Sequence, residues 1–104
     1  MKVVIAAEAQ TELREIWQWN VERWGVPHVD SYLDFLDQQI YNLGTAAKNG
    51  KIVESQPRLR YLLIKRRRGG HGHIAVYNVA ANEIVVAHVF HTAQNWQTKL
   101  VETV

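Results

Sequence analysis

The residues best suited to chemistry lie in the second half of the chain. Lys65-Arg66-Arg67-Arg68 is a run of four cations, closed by two glycines and followed by His71 and His73. Such a run can neutralise phosphates, and each guanidinium adds a planar, two-pronged contact. Arg58 and Arg60 stand just ahead of it and could extend the patch. The plainer reading of the same residues is a solvated turn. Cleaving RNA would ask for more: a base for the 2′-hydroxyl, an acid for the leaving 5′-oxygen and cations around the phosphorus. His91 and His73 could fill the first two roles, since imidazole titrates near neutrality. Tyr77, Arg60 and Lys65 could donate or stabilise. A histidine at a strand end more often satisfies a local hydrogen bond, so His91 also has a structural reading.

The histidines do not make a metal site by spacing. His88 and His91 are three apart on a strand and point to opposite faces unless a bulge intervenes. His71 and His73 could share a face, but they sit among cations with no Cys or carboxylate nearby. No metal or other cofactor is expected. Among the four tryptophans, Trp17 and Trp24 fall on a helical stripe and read as core, whereas Trp19 falls off it and is free to meet a partner. Trp96 has two readings, a platform for stacking on a base or a lid on the core.

These groups need a scaffold, and 104 residues with 47% apolar content suit one domain, 1–104, with a real core. There is no cysteine and hence no disulfide framework. The opening apolar run is too short for a secretory core or a membrane span. A cytoplasmic protein without membrane contact is expected. Net charge is only +2, yet it is unevenly spread. Residues 1–57 hold five Lys/Arg against eight Asp/Glu, and residues 58–104 hold seven against two. That polarity suits nucleic acid or an acidic partner on the C-terminal half.

The apolar periodicity supplies the elements. Residues 2–7 are β-branched and short, as a strand is. Leu13, Ile16, Trp17, Val21 and Trp24 form one helical stripe, with Glu8, Glu12 and Glu15 at the end where the helix dipole favours acids. Gly25 suits the left-handed residue that closes a helix, and Pro27 the first turn of a second one. That second helix carries Val29, Tyr32, Leu33, Leu36, Ile40 and Leu43, with Gly44 as its stop. Residues 45–57 read as a loop with a short extended piece at Ile52-Val53. From residue 59 the period is two: strands over 59–66, 72–80 and 83–91, joined by turns at 67–71 and 81–82. A short helix follows from Thr92, its N-cap, to about Leu100. On the last strand, Ile84, Val86 and Phe90 alternate with Val85, Ala87 and Val89. The predicted fold is α+β, in the order β-α-α-β-β-β, with the helix hairpin on one face of an antiparallel sheet. The other face is left open.

This order resembles the RelE/ParE superfamily of toxins from type II toxin–antitoxin modules. The resemblance is carried by Glu15-Ile16-Trp17 with Trp24-Gly25, by Leu59-Arg60, by the run from His73 to Val79, and by Val89-Phe90-His91-Thr92-Ala93-Gln94-Asn95-Trp96. The last piece is similar to the family's Val-Leu-His-Gly-Ala-Arg-Asp-Trp ending, with Gln94 and Asn95 in place of the Arg and the acid. The resemblance implies a growth-inhibiting toxin neutralised by a cognate antitoxin, as a homodimer or a toxin–antitoxin hetero-oligomer. It implies one of two targets, DNA gyrase for ParE-like members or ribosome-bound mRNA for RelE-like ones. Only the second would make the chain an enzyme, with His91, Tyr77 and Arg60 as its catalytic groups. The ParE-like ending favours gyrase. Target contacts would then come from Arg58, Arg60, Lys65, Arg66, Arg67, Arg68, His71, His73, Gln94, Asn95 and Trp96. A degenerate, non-toxic binding module is the third reading.

Overall fold

The computed structural model describes residues 1–66 and 72–102. Strand β1 (Lys2–Ile5) leads into helix α1 (Ala7–Trp24), which turns at the single residue Gly25 into α2 (Val26–Tyr41). A short helix α3 (Leu43–Ala46), a 3-10 turn and the two-residue strand β2 (Lys51–Ile52) follow. Then come β3 (Leu59–Ile64), β4 (His73–Val79), β5 (Glu83–His91) and α4 (Trp96–Glu102). The five strands form one sheet in the order β1-β5-β4-β3-β2. The expected antiparallel meander is present, but the sheet is mixed, because β1 joins β5 in parallel. Among the described residues, no helix is long and apolar enough to cross a membrane.

The helix hairpin packs on one face of the sheet. Leu36 and Ile40 of α2, Ala9 of α1 and Leu43 of α3 meet Ile64, Ala75, Tyr77, Ile84, Val86 and Val89 in the main core. Gly25 has φ 81° and ψ 161°, a region only glycine occupies readily. Its φ is positive as a helix stop requires, but its ψ is far from the left-handed helical value expected. Gly44 does not end α2, which stops at Tyr41. It lies instead in α3, where its carbonyl accepts a hydrogen bond from the N-terminal ammonium at 2.7 Å.

Three further expectations are corrected. The inward face of α1 is centred on Ala9, Leu13 and Ile16, so Trp17 and Trp24 fall at the rim, 41% and 62% exposed. The sheet's second face is not open but holds a smaller core, in which Trp96 and Leu100 of α4 pack with Val53, Ile74, Val76 and Phe90. Lastly, β5 carries a bulge: Val76 faces His88 while Tyr77 faces Val86, leaving Ala87 unmatched. The extra residue flips the alternation, so Val86 and Val89 share the helix-side core and Phe90 faces α4.

Candidate functional site

The bulge determines which side chains gather at the C-terminal end of β5. His73 opens β4, His91 closes β5, and the two are cross-strand partners. Their rings meet edge to face, 5.2 Å between centroids at 86°. Tyr32 of α2 reaches down to them, its hydroxyl 2.6 Å from His73 Nδ1. His73 is only 4% exposed, and its Nε2 has no hydrogen-bond partner. Burial, with His91 adding to it, lowers the His73 pKa to about 4, so this ring is neutral at pH 7. Burial raises the Tyr32 hydroxyl to about 12, against the opposing pull of Arg66.

His91 is held by the turn that follows it. Ala93 N–H donates to His91 Nδ1 at 3.0 Å, which leaves the proton of the neutral ring on Nε2. Gln94 contacts the His91 backbone twice. Its N–H donates to the His91 carbonyl at 3.0 Å, and its Oε1 accepts from His91 N–H at 2.9 Å. An Arg at this position, as in the family ending, has only donors and could not make the second bond. Thr92 is not a helix cap, since its Oγ1 accepts from Gly72 N–H at 3.1 Å and α4 starts only at Trp96.

Beside this cluster runs an open groove of about 1040 Å³. Ile16, Trp19 and Arg23 of α1 form one wall, and Lys99 and Glu102 of α4 another. The Trp19 ring lies 6.5 Å from that of His91, and the Arg23 guanidinium sits 4.4 Å from the Trp19 ring centroid. Glu12 reaches from α1 to the strand edge. Its Oε1 accepts from Val89 N–H at 2.9 Å, and both carboxylate oxygens lie 3.3 Å from His88 Nδ1. Burial pushes the Glu12 carboxyl up, while the Val89 amide and His88 pull it back. Replacing Glu12 by Gln keeps an acceptor for Val89 and should change the urea midpoint little. Replacing it by Ala strips that amide of its partner and should cost roughly 1–2 kcal/mol. Equal midpoints for the two variants would show that the contact contributes nothing.

The residues singled out by sequence divide between two ends of the sheet. His73, His91, Lys65, Arg66 and Gln94 lie at the groove end. Arg66 is tied to α2, its Nη2 donating to Ser31 Oγ at 2.7 Å. Arg58 is exposed at the opposite end, where Arg60 pairs across strands with Tyr77. Three residues of β4 separate Tyr77 from His73, a span of roughly 13 Å along the strand. Tyr77 is fully buried; its hydroxyl donates to the Ala47 carbonyl at 2.5 Å and accepts from Gly50 N–H at 3.0 Å. Arg60 Nη1 donates to the Gly50 carbonyl at 3.0 Å. Asn95 is exposed, while Trp96 is buried with its ring centroid 4.8 Å from that of Tyr61. Arg67, Arg68 and His71 lie outside the described residues. Among the described residues, no three His, Asp or Glu side chains converge as a metal site needs.

Sequence reasoning did not assign Glu12 or Tyr32 to the site. Glu12 read as a dipole charge and Tyr32 as core. The one available signal was that position 12 shares a helical face with Ala9, Leu13 and Ile16, so its carboxylate had to turn inward.

A mixed sheet with a helix hairpin on one face and a short helix closing the other is a RelE/ParE-like α+β domain. Residues 3–96 match the family model described as the ParE toxin of the type II toxin–antitoxin system parDE, and the chain belongs to that family. Among solved structures, one described as the chromosomal ParDE toxin–antitoxin system from P. aeruginosa aligns with a TM-score of 0.74. The alignment covers 88% of this chain and 95% of that one at 18% identity, a likeness of fold. No curated protein sequence matches the chain significantly.

Proposed function

We propose that this chain is the toxin of a type II pair, silenced by a cognate antitoxin, and that it arrests growth by binding DNA gyrase. The observation that carries the choice of binding over RNA cleavage is the separation of His91 from Tyr77 and Arg60. A ribonuclease site needs its acid, base and cations within reach of one phosphate. Here the Tyr77 hydroxyl is buried and doubly engaged, and Arg60 is committed to a backbone carbonyl. His91 stands at the other end of the strand pair. The exposed cations Lys65 and Arg66, continued in sequence by Arg67 and Arg68, supply a contact surface beside the groove.

Induced expression in a bacterium should stop growth, raise the DNA-damage response and block supercoiling by purified gyrase, with transcripts left intact. Codon-phased cuts in mRNA, abolished by His91→Ala, would instead establish the RelE-like nuclease. Normal growth, supercoiling and transcripts would leave a non-toxic binding module. Changing Arg66, Arg67 and Arg68 together to Ala should weaken gyrase binding at least tenfold. Unchanged binding would reduce that run to a solvated turn.

A further inference from the structure

Helix α2 grips the connection between β3 and β4 at both of its roots. The β3–β4 ladder ends with Ile64 facing His73. Just beyond Ile64, Arg66 Nη2 donates to Ser31 Oγ at 2.7 Å, and its guanidinium lies 5.8 Å from the Phe35 ring centroid. On the return side, the Tyr32 hydroxyl is 2.6 Å from His73 Nδ1. Gly72 is tied to Thr92 in both directions, donating to its Oγ1 at 3.1 Å and accepting from its N–H at 3.0 Å. Ser31 and Phe35 stand one turn apart on α2 and so lie side by side. Tyr32 follows Ser31 in the helix, its ring 6.1 Å from that of Phe35. The guanidinium also pulls the Tyr32 hydroxyl down against the effect of burial, as a cation close by must.

The groups that hold Arg66 are neutral. Ser31 takes one of the guanidinium's donors, and an aromatic face attracts a cation without cancelling its charge. Among the described residues, no carboxylate forms an ion pair with Arg66, and the residue is exposed. An arginine held but not neutralised is prepared for an anionic group of a partner. The rotamer freedom of its long side chain is lost before binding rather than during it. We propose that Ser31 and Phe35 are positioning residues for target contact, which fix the Arg66 guanidinium to receive an anionic group of gyrase. The inference rests on the gyrase reading above.

The test measures binding of the full chain to gyrase holoenzyme. Ser31→Ala should weaken binding about fivefold, the cost of ordering one long side chain on contact, with an unchanged melting temperature. Ser31→Thr, which keeps the hydroxyl, should bind as wild type does. Phe35→Leu should weaken binding by a similar factor. Neither Ser31→Ala nor Phe35→Leu should weaken the Arg66→Ala variant further, since both act through Arg66. In the free chain, Ser31→Ala should raise the fast mobility of the Arg66 Nε–Hε bond in relaxation measurements. A Ser31→Ala chain that binds as tightly as wild type while Arg66→Ala binds weakly would overturn the positioning role and leave the gyrase reading standing. A loss on Ser31→Ala that persists in full beside Arg66→Ala would overturn it too, because Ser31 would then act on its own. A wild-type chain without affinity for gyrase would remove the gyrase reading, and the positioning role with it, whatever the mobility of Arg66.

Discussion

Tyr77→Phe should lower the unfolding free energy by about 2–4 kcal/mol. The hydroxyl is the partner of two backbone groups, the Ala47 carbonyl and the Gly50 N–H, and Gly50 itself is buried. A buried polar group left unpaired costs roughly 1–3 kcal/mol, and here two are orphaned together. The same joint can be broken from the other side. A Cβ at Gly50 would meet the Tyr77 hydroxyl directly and lie 2.8 Å from ring carbons. Gly50→Ala should therefore cost a similar amount by overpacking. Because both changes act on one contact, the double variant should be less destabilised than the sum of the singles. Urea unfolding at pH 7 measures all three. The result also bears on function, since Tyr77→Phe with wild-type stability but lost toxicity would return Tyr77 to a catalytic role. Lost stability with toxicity retained below the melting point is the outcome the buried geometry requires.

Acidification should destabilise the protein through His73, by about 3 kcal/mol between pH 6.5 and pH 4. The folded ring has its pKa at about 4, against an ordinary 6.5. Between those values the unfolded chain takes up a proton that the folded chain refuses. The contribution is therefore fully present above pH 6.5, is lost progressively as pH falls, and levels off below about 4. Burial is the main cause, and a second imidazole at 5.2 Å adds to it. The carboxyls of Glu12 and Asp37, raised by burial, act in the opposite sense and stabilise on acidification. The measurement must therefore compare wild type with His73→Phe across the same pH range. His73→Phe leaves the Tyr32 hydroxyl without its partner and should be weaker at pH 7.5, with a flatter decline below pH 6.5. Parallel curves for the two proteins would refute the assignment.

Much of the fold was legible because its signals are local. The α2 stripe from Val29 to Ile40, the breaks at Gly25 and Pro27 and the alternation of β3 to β5 all act within a few residues. What escaped depends on contacts between distant segments. The inward face of α1 was misplaced by a rotation of the stripe, because Glu12 occupies an inward position. That is tolerable only with Val89 N–H and His88 waiting in the sheet. The alternation of β5 was misread beyond Val86, because no residue type in Ile84–Phe90 announces a bulge. Without that shift His91 would not share a face with Val86. Of the site, His73, His91 and Gln94 were each visible, but their companions Tyr32 and Glu12 looked like ordinary core and surface. The pairing of Tyr77 with Arg60, far from His91, became visible only once the strand register was known.

The parallel partnership of β1 with β5 bears on how the protein is made. Lys2–Ile5 must wait for Glu83–Val86, about eighty residues later in the chain. Until β5 is available, β1 has no neighbour in the sheet and α1 lacks the strand against which it chiefly packs. Contacts so far apart in sequence form late and slowly. A ribosome carrying this chain therefore holds an unfinished sheet until β5 has emerged, and the groove, which needs α1, β5 and α4 at once, is assembled later still.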